Sequence, residues 1–237
     1  KWPELEWIVT DKLKISDDFS NIELPKINQN DRAFIQYTSG TIKDPKPIKV
    51  RHKNLYHNLI SSGSDNNINN STKNVINLSW LPQYHDFGLM GSRLFPAING
   101  GTSILISPIS FIKNPIFFLE LISKYKITHV QGPNFMYNFL VKKWLFCDNK
   151  KNIDLSSLYH VFNAAENINI DSYDKFYETF KKFGLKKSSL ARGYGLAETV
   201  VYVCDTGHDN KRNKKELMID KDLLKKNIIK IINKDGK

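Results

Sequence analysis

Apolar and polar positions fall into short blocks along this chain, and the blocks switch between two periods. Ala33-Phe34-Ile35-Gln36-Tyr37 is an apolar run that reads as a buried strand, followed by a loop rich in Gly, Pro and Lys. Residues 52–61 have helical spacing through Leu55, Leu59 and Ile60, and the Ser/Asn-rich stretch 62–74 reads as a surface loop. Val75 to Trp80 is strand-like, helix-compatible sequence follows Gly88, and Thr102 to Ser107 is strand-like again. A helix is predicted over 115–125, with Phe118, Leu121, Ile122 and Tyr125 on one face. Then come a strand at 127–131, a helix at 134–146, a strand at 158–163 and an amphipathic helix at 172–183. That last helix carries Tyr173, Phe176, Tyr177, Phe180 and Phe183 and is stopped by Gly184. Strand-like segments near 188–192 and from Val200 to Cys204 close the series. Strands alternating with helices predict an α/β domain of mainly parallel sheets flanked by helices. Ligands of such sheets bind beyond the carboxyl ends of strands, which selects the loops 38–47, 82–88 and 193–198.

Composition narrows the class. The 237 residues, 41% of them hydrophobic, are enough for a sizeable core. Cys147 and Cys204 are the sole cysteines and form no metal-ligand spacing, so a reducing, cytoplasmic setting is expected. The first residues lack a signal-peptide core, and no run is apolar enough to span a membrane. A net charge of +11 raises a nucleic-acid reading. Residues 209–237 hold ten Lys/Arg against five Asp/Glu, so nearly half of the excess sits there, and no basic stripe or binding motif accompanies it. We therefore expect no nucleic-acid partner; a basic binder would instead show steeply salt-dependent affinity.

Four segments carry candidate chemistry. Tyr37-Thr38-Ser39-Gly40-Thr41-Ile42-Lys43-Asp44-Pro45-Lys46 sets three hydroxyls, a Gly and a Lys directly after a strand, a composition able to cradle phosphate. A ligand-free turn has the same composition. The P-loop of nucleotide triphosphatases is excluded, because Pro45 and Pro47 stand where its second Gly and its hydroxyl belong. Trp80-Leu81-Pro82-Gln83-Tyr84-His85-Asp86-Phe87-Gly88-Leu89-Met90-Gly91 offers a His-Asp pair. His85 could be a base oriented by Asp86, although sequence neighbours seldom pair that way; a loop histidine with satisfied bonds is the alternative. Val161-Phe162-Asn163-Ala164-Ala165-Glu166-Asn167 is a strand end with small residues, and Gly193-Tyr194-Gly195-Leu196-Ala197-Glu198-Thr199 joins an aromatic ring to a carboxylate.

In this order the segments resemble the fatty acyl-AMP ligase branch of the acyl-adenylate-forming (AMP-dependent synthetase and ligase) superfamily. The first is similar to its Y-T-S-G-[ST]-T-G-x-P-K-G loop, departing at Ile42, Lys43 and Pro47. The second is similar to L-P-x-Y-H-D-M-G-L-I-G, the third to F-N-G-A-E-P and the fourth to Y-G-[LMQ]-[AT]-E. The resemblance implies activation of a fatty acid with ATP, giving acyl-AMP and pyrophosphate, with Mg²⁺ as cofactor. It assigns Thr38, Ser39, Gly40, Thr41 and Lys46 to the phosphates, and His85 and Lys46 to catalysis. Asn163, Ala164, Ala165, Glu166, Tyr194 and Gly195 would meet adenine. Glu198, with Thr38, would serve the metal, and Asp86, Gly88, Gly132, Asn134 and Phe135 would line the acyl pocket. A carrier protein, or a polyketide synthase module carrying one, is the implied acceptor.

The same resemblance implies a division of the chain. Residues 1–30 read as a linker from an upstream portion, 31–208 as part of an adenylation domain, and 209–237 as a basic segment continuing that domain. No segment resembles the ribose-binding Asp, the small C-terminal domain or its Lys, so these 237 residues alone are expected to adenylate weakly or not at all. The competing expectation is a degenerate relative that binds nucleotide or acyl chain without chemistry.

Overall fold

The computed structural model describes residues 9, 12, 23–38, 44–65, 74–148, 152–206 and 217–232. Ser39, Gly40 and Thr41 lie outside them, as do Ile42 and Lys43, nearly all of residues 1–22, and 207–216. The two strands β1 (Arg32–Tyr37) and β2 (Pro47–Arg51) form an antiparallel hairpin, with Tyr37 opposite Pro47. Helix α1 (His52–Asp65) follows. The main sheet contains β3 (Ile76–Ser79), β4 (Thr102–Leu105), β5 (His129–Gly132), β6 (His160–Asn163), β7 (Leu190–Tyr194) and β8 (Cys204–Asp205). Their order is β4-β3-β5-β6-β7-β8, all pairs parallel except β7–β8. The architecture is thus α/β with a parallel-dominated sheet, as the alternating pattern implies.

Helix limits follow local chemistry. Helix α3 (Pro108–Lys113) starts where the Ser107 hydroxyl accepts the Ser110 N–H at 3.0 Å. Helix α4 (Pro115–Tyr125) starts at Asn114, whose side chain accepts from the Phe117 N–H at 3.2 Å, and ends with Lys126 at φ 50°. Helix α6 (Ile170–Phe180) is capped by Asn169 and runs through a short 3₁₀ turn into Gly184 at φ 92°, the stop read from the sequence.

One face of the sheet is buried under α4, α5 (Asn134–Leu145) and α6. Leu78, Val130, Val161 and Ala191 meet Phe118, Leu140, Trp144 and Phe180 there, all essentially closed to solvent. Tyr137 and Tyr173 share this core edge to face, 4.9 Å apart. The Tyr137 hydroxyl donates to the Phe162 carbonyl (2.7 Å), and the Tyr173 hydroxyl lies between the carbonyls of Val161 (2.5 Å) and Ala191 (3.0 Å), tying α5 and α6 to β6 and β7. Burial pushes both phenols upward in pKa.

Several expectations are corrected. β1 is half-exposed and belongs to the hairpin, not to the parallel sheet; β2 went unread because Pro, Lys and Arg interrupt its two apolar residues. Thr38 and Lys46 therefore adjoin the ends of an antiparallel pair, and the carboxyl-end rule for parallel sheets selects them for the wrong reason. The helix expected after Gly88 begins at Phe87 and is a π-helical segment, Phe87–Leu94, running into α2 (Phe95–Ile98). Of the strand expected at Val200–Cys204, only Cys204 pairs, within β8. Tyr125 is 43% exposed, because the α4 face ends one turn earlier. Within 217–232 a short helix α7 (Lys221–Leu224) is capped by Asp220. Among the described residues, no helix is long and apolar enough to cross a membrane.

Phe118→Ala should therefore cost about 3–5 kcal/mol in denaturant unfolding, whereas Tyr125→Ala should stay within about 0.5 kcal/mol. Equal losses would contradict the assigned helix face.

Candidate nucleotide cleft

The opposite face of the sheet, the hairpin and the loops after β3, β6 and β7 enclose a cleft of about 830 Å³. Thr38 and Lys46 reach it from the hairpin, His85 and Asp86 from the turn after β3, Ala164 and Ala165 from β6, and Tyr194, Gly195 and Glu198 from β7. Residues more than 150 positions apart in sequence thus share one space.

Each group is held by polar bonds. The Thr38 hydroxyl oxygen accepts the Lys46 N–H at 3.0 Å and the Thr38 N–H donates to the Lys46 carbonyl at 3.0 Å, closing the hairpin loop at its base. The Gln36 amide donates to the Tyr84 carbonyl at 3.3 Å, linking this hairpin to the His-Asp turn. That turn is tight because Gly88 packs on Pro82: a β-carbon there would lie 2.0 Å from the Pro82 carbonyl oxygen.

His85 and Asp86 do pair, against expectation, with Nδ1 to Oδ1 at 2.6 Å. Asp86 also accepts the Phe87 N–H at 2.6 Å, so one carboxylate caps the π-helical segment and fixes the imidazole. The hydrogen bond from Asp86 raises the His85 pKa above its ordinary value; partial burial opposes this, and the Asp86 charge adds to it. With Nδ1–H given to Asp86, Nε2 is the ring nitrogen left for other bonds.

The remaining expected residues lie elsewhere. Phe162 and Ala164 face the cleft, and the two-residue period of β6 turns Asn163 the other way. The buried Asn163 amide donates to the Asn134 side chain at 3.1 Å, and Asn134 also accepts the Asn169 N–H at 3.2 Å. Glu166 accepts the Phe135 N–H at 2.6 Å, placing its carboxylate at the N-terminus of α5. Together these bonds staple the segment 163–169 to α5, and Ala165 is left at φ 74° on the cleft wall. Gly88, Gly132, Asn134, Phe135, Asn163 and Glu166 are not in the cleft lining. Phe135 instead stands edge-on to Trp80, 5.6 Å away. The apolar part of the cleft is formed by Phe87, Met90 and Phe162, which the motifs did not single out. The strand alternation around Ala164 is the signal that could have found Phe162.

Among the described residues, no group of three or more His, Cys, Asp or Glu could hold a metal. The cleft lining includes the carboxylates of Asp44, Asp86, Asp205 and Glu198; an ion such as Mg²⁺ takes one or two carboxylates and fills its remaining positions with phosphate oxygens and water.

This combination of fold and cleft is that of an AMP-binding enzyme, and the family model of that description matches residues 2–237. The chain belongs to that family. It is 33% identical over 233 residues to a medium-chain-fatty-acid–[acyl-carrier-protein] ligase, JamA, of Moorena producens (strain JHB), covering 98% of this chain and 38% of the relative. It is 30% identical to a 4-hydroxyphenylalkanoate adenylyltransferase of Mycobacterium tuberculosis, over 84% of this chain and 32% of that protein. The crystal structure of a fatty acyl-adenylate ligase from L. pneumophila, in complex with acyl adenylate and pyrophosphate, superposes with a TM-score of 0.73 at 38% identity. That match covers 80% of this chain and 33% of the other. The chain thus spans 38% and 32% of the length of these two curated relatives, and its similarity within the family runs to the fatty acyl-AMP ligases.

The imidazole titration tests the His-Asp pair. By NMR, His85 should titrate above ordinary histidine, and Asp86→Asn should bring it down. A raised folded-state pKa gives stability that is fully present below the unfolded value and lost as pH rises through the folded one. The stability gap between wild type and Asp86→Asn should therefore narrow over that rise; a pH-independent gap would contradict the pairing.

Proposed function

We propose that the cleft binds ATP and a fatty acid, and that the protein joins them as an acyl adenylate, releasing pyrophosphate. The observation that carries this reading is the meeting of the hairpin, the His-Asp turn, the Ala164-Ala165 wall and the Tyr194–Glu198 loop in one cleft. Similarity to ligases named for fatty acids supports the acid, and the relative named as an acyl-carrier-protein ligase supports a carrier protein as acceptor.

The chemistry asks for alignment and charge more than for proton transfer. A fatty acid is already a carboxylate at neutral pH, since carboxyl pKa values lie near about 4. One carboxylate oxygen bonds to the α-phosphorus, the bond from that phosphorus to the bridging oxygen breaks, and pyrophosphate leaves with the electron pair. Lys46 supplies a cation for the phosphates, and Tyr194, 62% exposed at the cleft, offers a ring face for the purine. Glu198 would hold Mg²⁺, which neutralises phosphate charge when bound. His85, fixed by Asp86 through Nδ1, turns Nε2 to the reacting groups, as an acceptor in the neutral ring and a donor in the protonated one. Phe87, Met90 and Phe162 give the acyl chain an apolar wall.

Calorimetric titration with ATP tests the nucleotide half. In Mg²⁺, Glu198→Gln should weaken binding about tenfold, equivalent to about 1.4 kcal/mol; in EDTA it should match wild type. An equal loss in both would remove the metal role. Fatty-acid-dependent exchange of labelled pyrophosphate into ATP tests the reaction: with these 237 residues alone it should be weak or absent, and nucleotide binding without any exchange by the chain extended to the relatives' length would favour a non-catalytic binder.

A further inference from the structure

The loop that carries Glu198 contains a strained residue. Val200 sits at φ 74°, ψ −59°, a γ-turn geometry that β-branched side chains rarely adopt. Such strain persists where the surroundings over-determine it. Here the Val200 side chain is buried with Val50 of β2 and Met90 of the π-helical segment, so it anchors the loop. The chain doubles back so closely that a β-carbon on Gly195 would lie 1.5 Å from the Val201 carbonyl oxygen. The Thr199 and Val200 N–H groups donate to Leu196 and Ala197 at 3.1 and 3.0 Å.

One side chain from a distant helix straddles this turn. The Asn58 amide of α1 donates to the carbonyls of Thr199 (3.0 Å) and Tyr202 (2.8 Å), and its oxygen accepts the Tyr202 N–H at 3.2 Å. Both donors and the acceptor of one carboxamide are committed to the backbone on either side of Val200. The loop needs such a clamp because it is a thin wall. Glu198 itself is exposed and lines both the main cleft and a smaller groove of about 360 Å³, so its own side chain is not packed in place.

We infer that Asn58 is a positioning residue for Glu198: it holds the strained turn at Val200 and thereby aims the carboxylate into the cleft. The part that concerns ATP·Mg²⁺ rests on the proposed function; the part that concerns the loop does not.

Hydrogen–deuterium exchange on the full chain tests the clamp. Asn58→Ala, and Asn58→Asp, which lacks the amide donors, should raise exchange across 199–203 about tenfold or more. Asn54→Ala is the control: Asn54 accepts the Arg51 N–H at the start of α1, at 3.0 Å, and makes none of these bonds. It should leave 199–203 unchanged. Unchanged exchange in the Asn58 variants, or an equal rise in Asn54→Ala, would overturn the inference. A double-mutant cycle tests the aim. Asn58→Ala should weaken ATP·Mg²⁺ binding about fivefold beside an intact Glu198 and hardly at all beside Glu198→Gln. Equal losses in both backgrounds would show general loosening and also overturn it. Absence of any ATP·Mg²⁺ binding by wild type would remove the proposed function, while the exchange measurement would still decide the role of Asn58.

Discussion

The burial of one sheet face beneath α4, α5 and α6 is the constraint on which the cleft depends. The aromatic side chains of those helices leave the opposite face to be lined by Gln131, Phe162 and the loops beyond the strands. The Tyr137 and Tyr173 hydroxyls sharpen this arrangement, because each spends its proton on a strand carbonyl next to the cleft. A buried hydroxyl without such a partner would be costly, so these bonds also fix the height of β6 and β7 relative to the helices. The positions of Ala164 and Tyr194 follow from that registration.

Beyond the sheet, the site is built from loops, and loops need other fastenings. The same device recurs at three of them: one short polar side chain makes two or more hydrogen bonds, at least one of them to backbone. Asp86 serves the His85 ring and the Phe87 N–H, and Asn134 serves Asn163 and Asn169. Asn58 does the same across Val200. Each fastening lies beside a cleft residue, and two hold backbone at positive φ, at Ala165 and Val200. Side chains that in sequence look available for ligands are thus committed to shaping the wall.

This explains what was legible in the sequence and what was not. The helices at 115–125 and 134–146 and the strands through Leu78, Val130 and Val161 follow from periodicity, because burial on one face imposes it. The four motif segments were visible as chemistry, and three of them do end strands of the parallel sheet. The hairpin was not visible: β1 has the apolar run of a buried strand, and β2 is mostly polar. Glu166 and Asn163 drew attention as cleft residues because sequence shows a residue's type and not its direction. Asn58 drew none, since its partners lie more than 140 positions away and are all backbone atoms.

The central claim is that these distant segments form one nucleotide site. Hydrogen–deuterium exchange across a titration with ATP·Mg²⁺ tests it most directly. Protection is expected at Lys46, at Tyr84–Phe87, at Ala164–Ala165 and at Tyr194–Glu198, all half-saturating at one nucleotide concentration. Protection confined to a single segment, or segments saturating at separate concentrations, would contradict it.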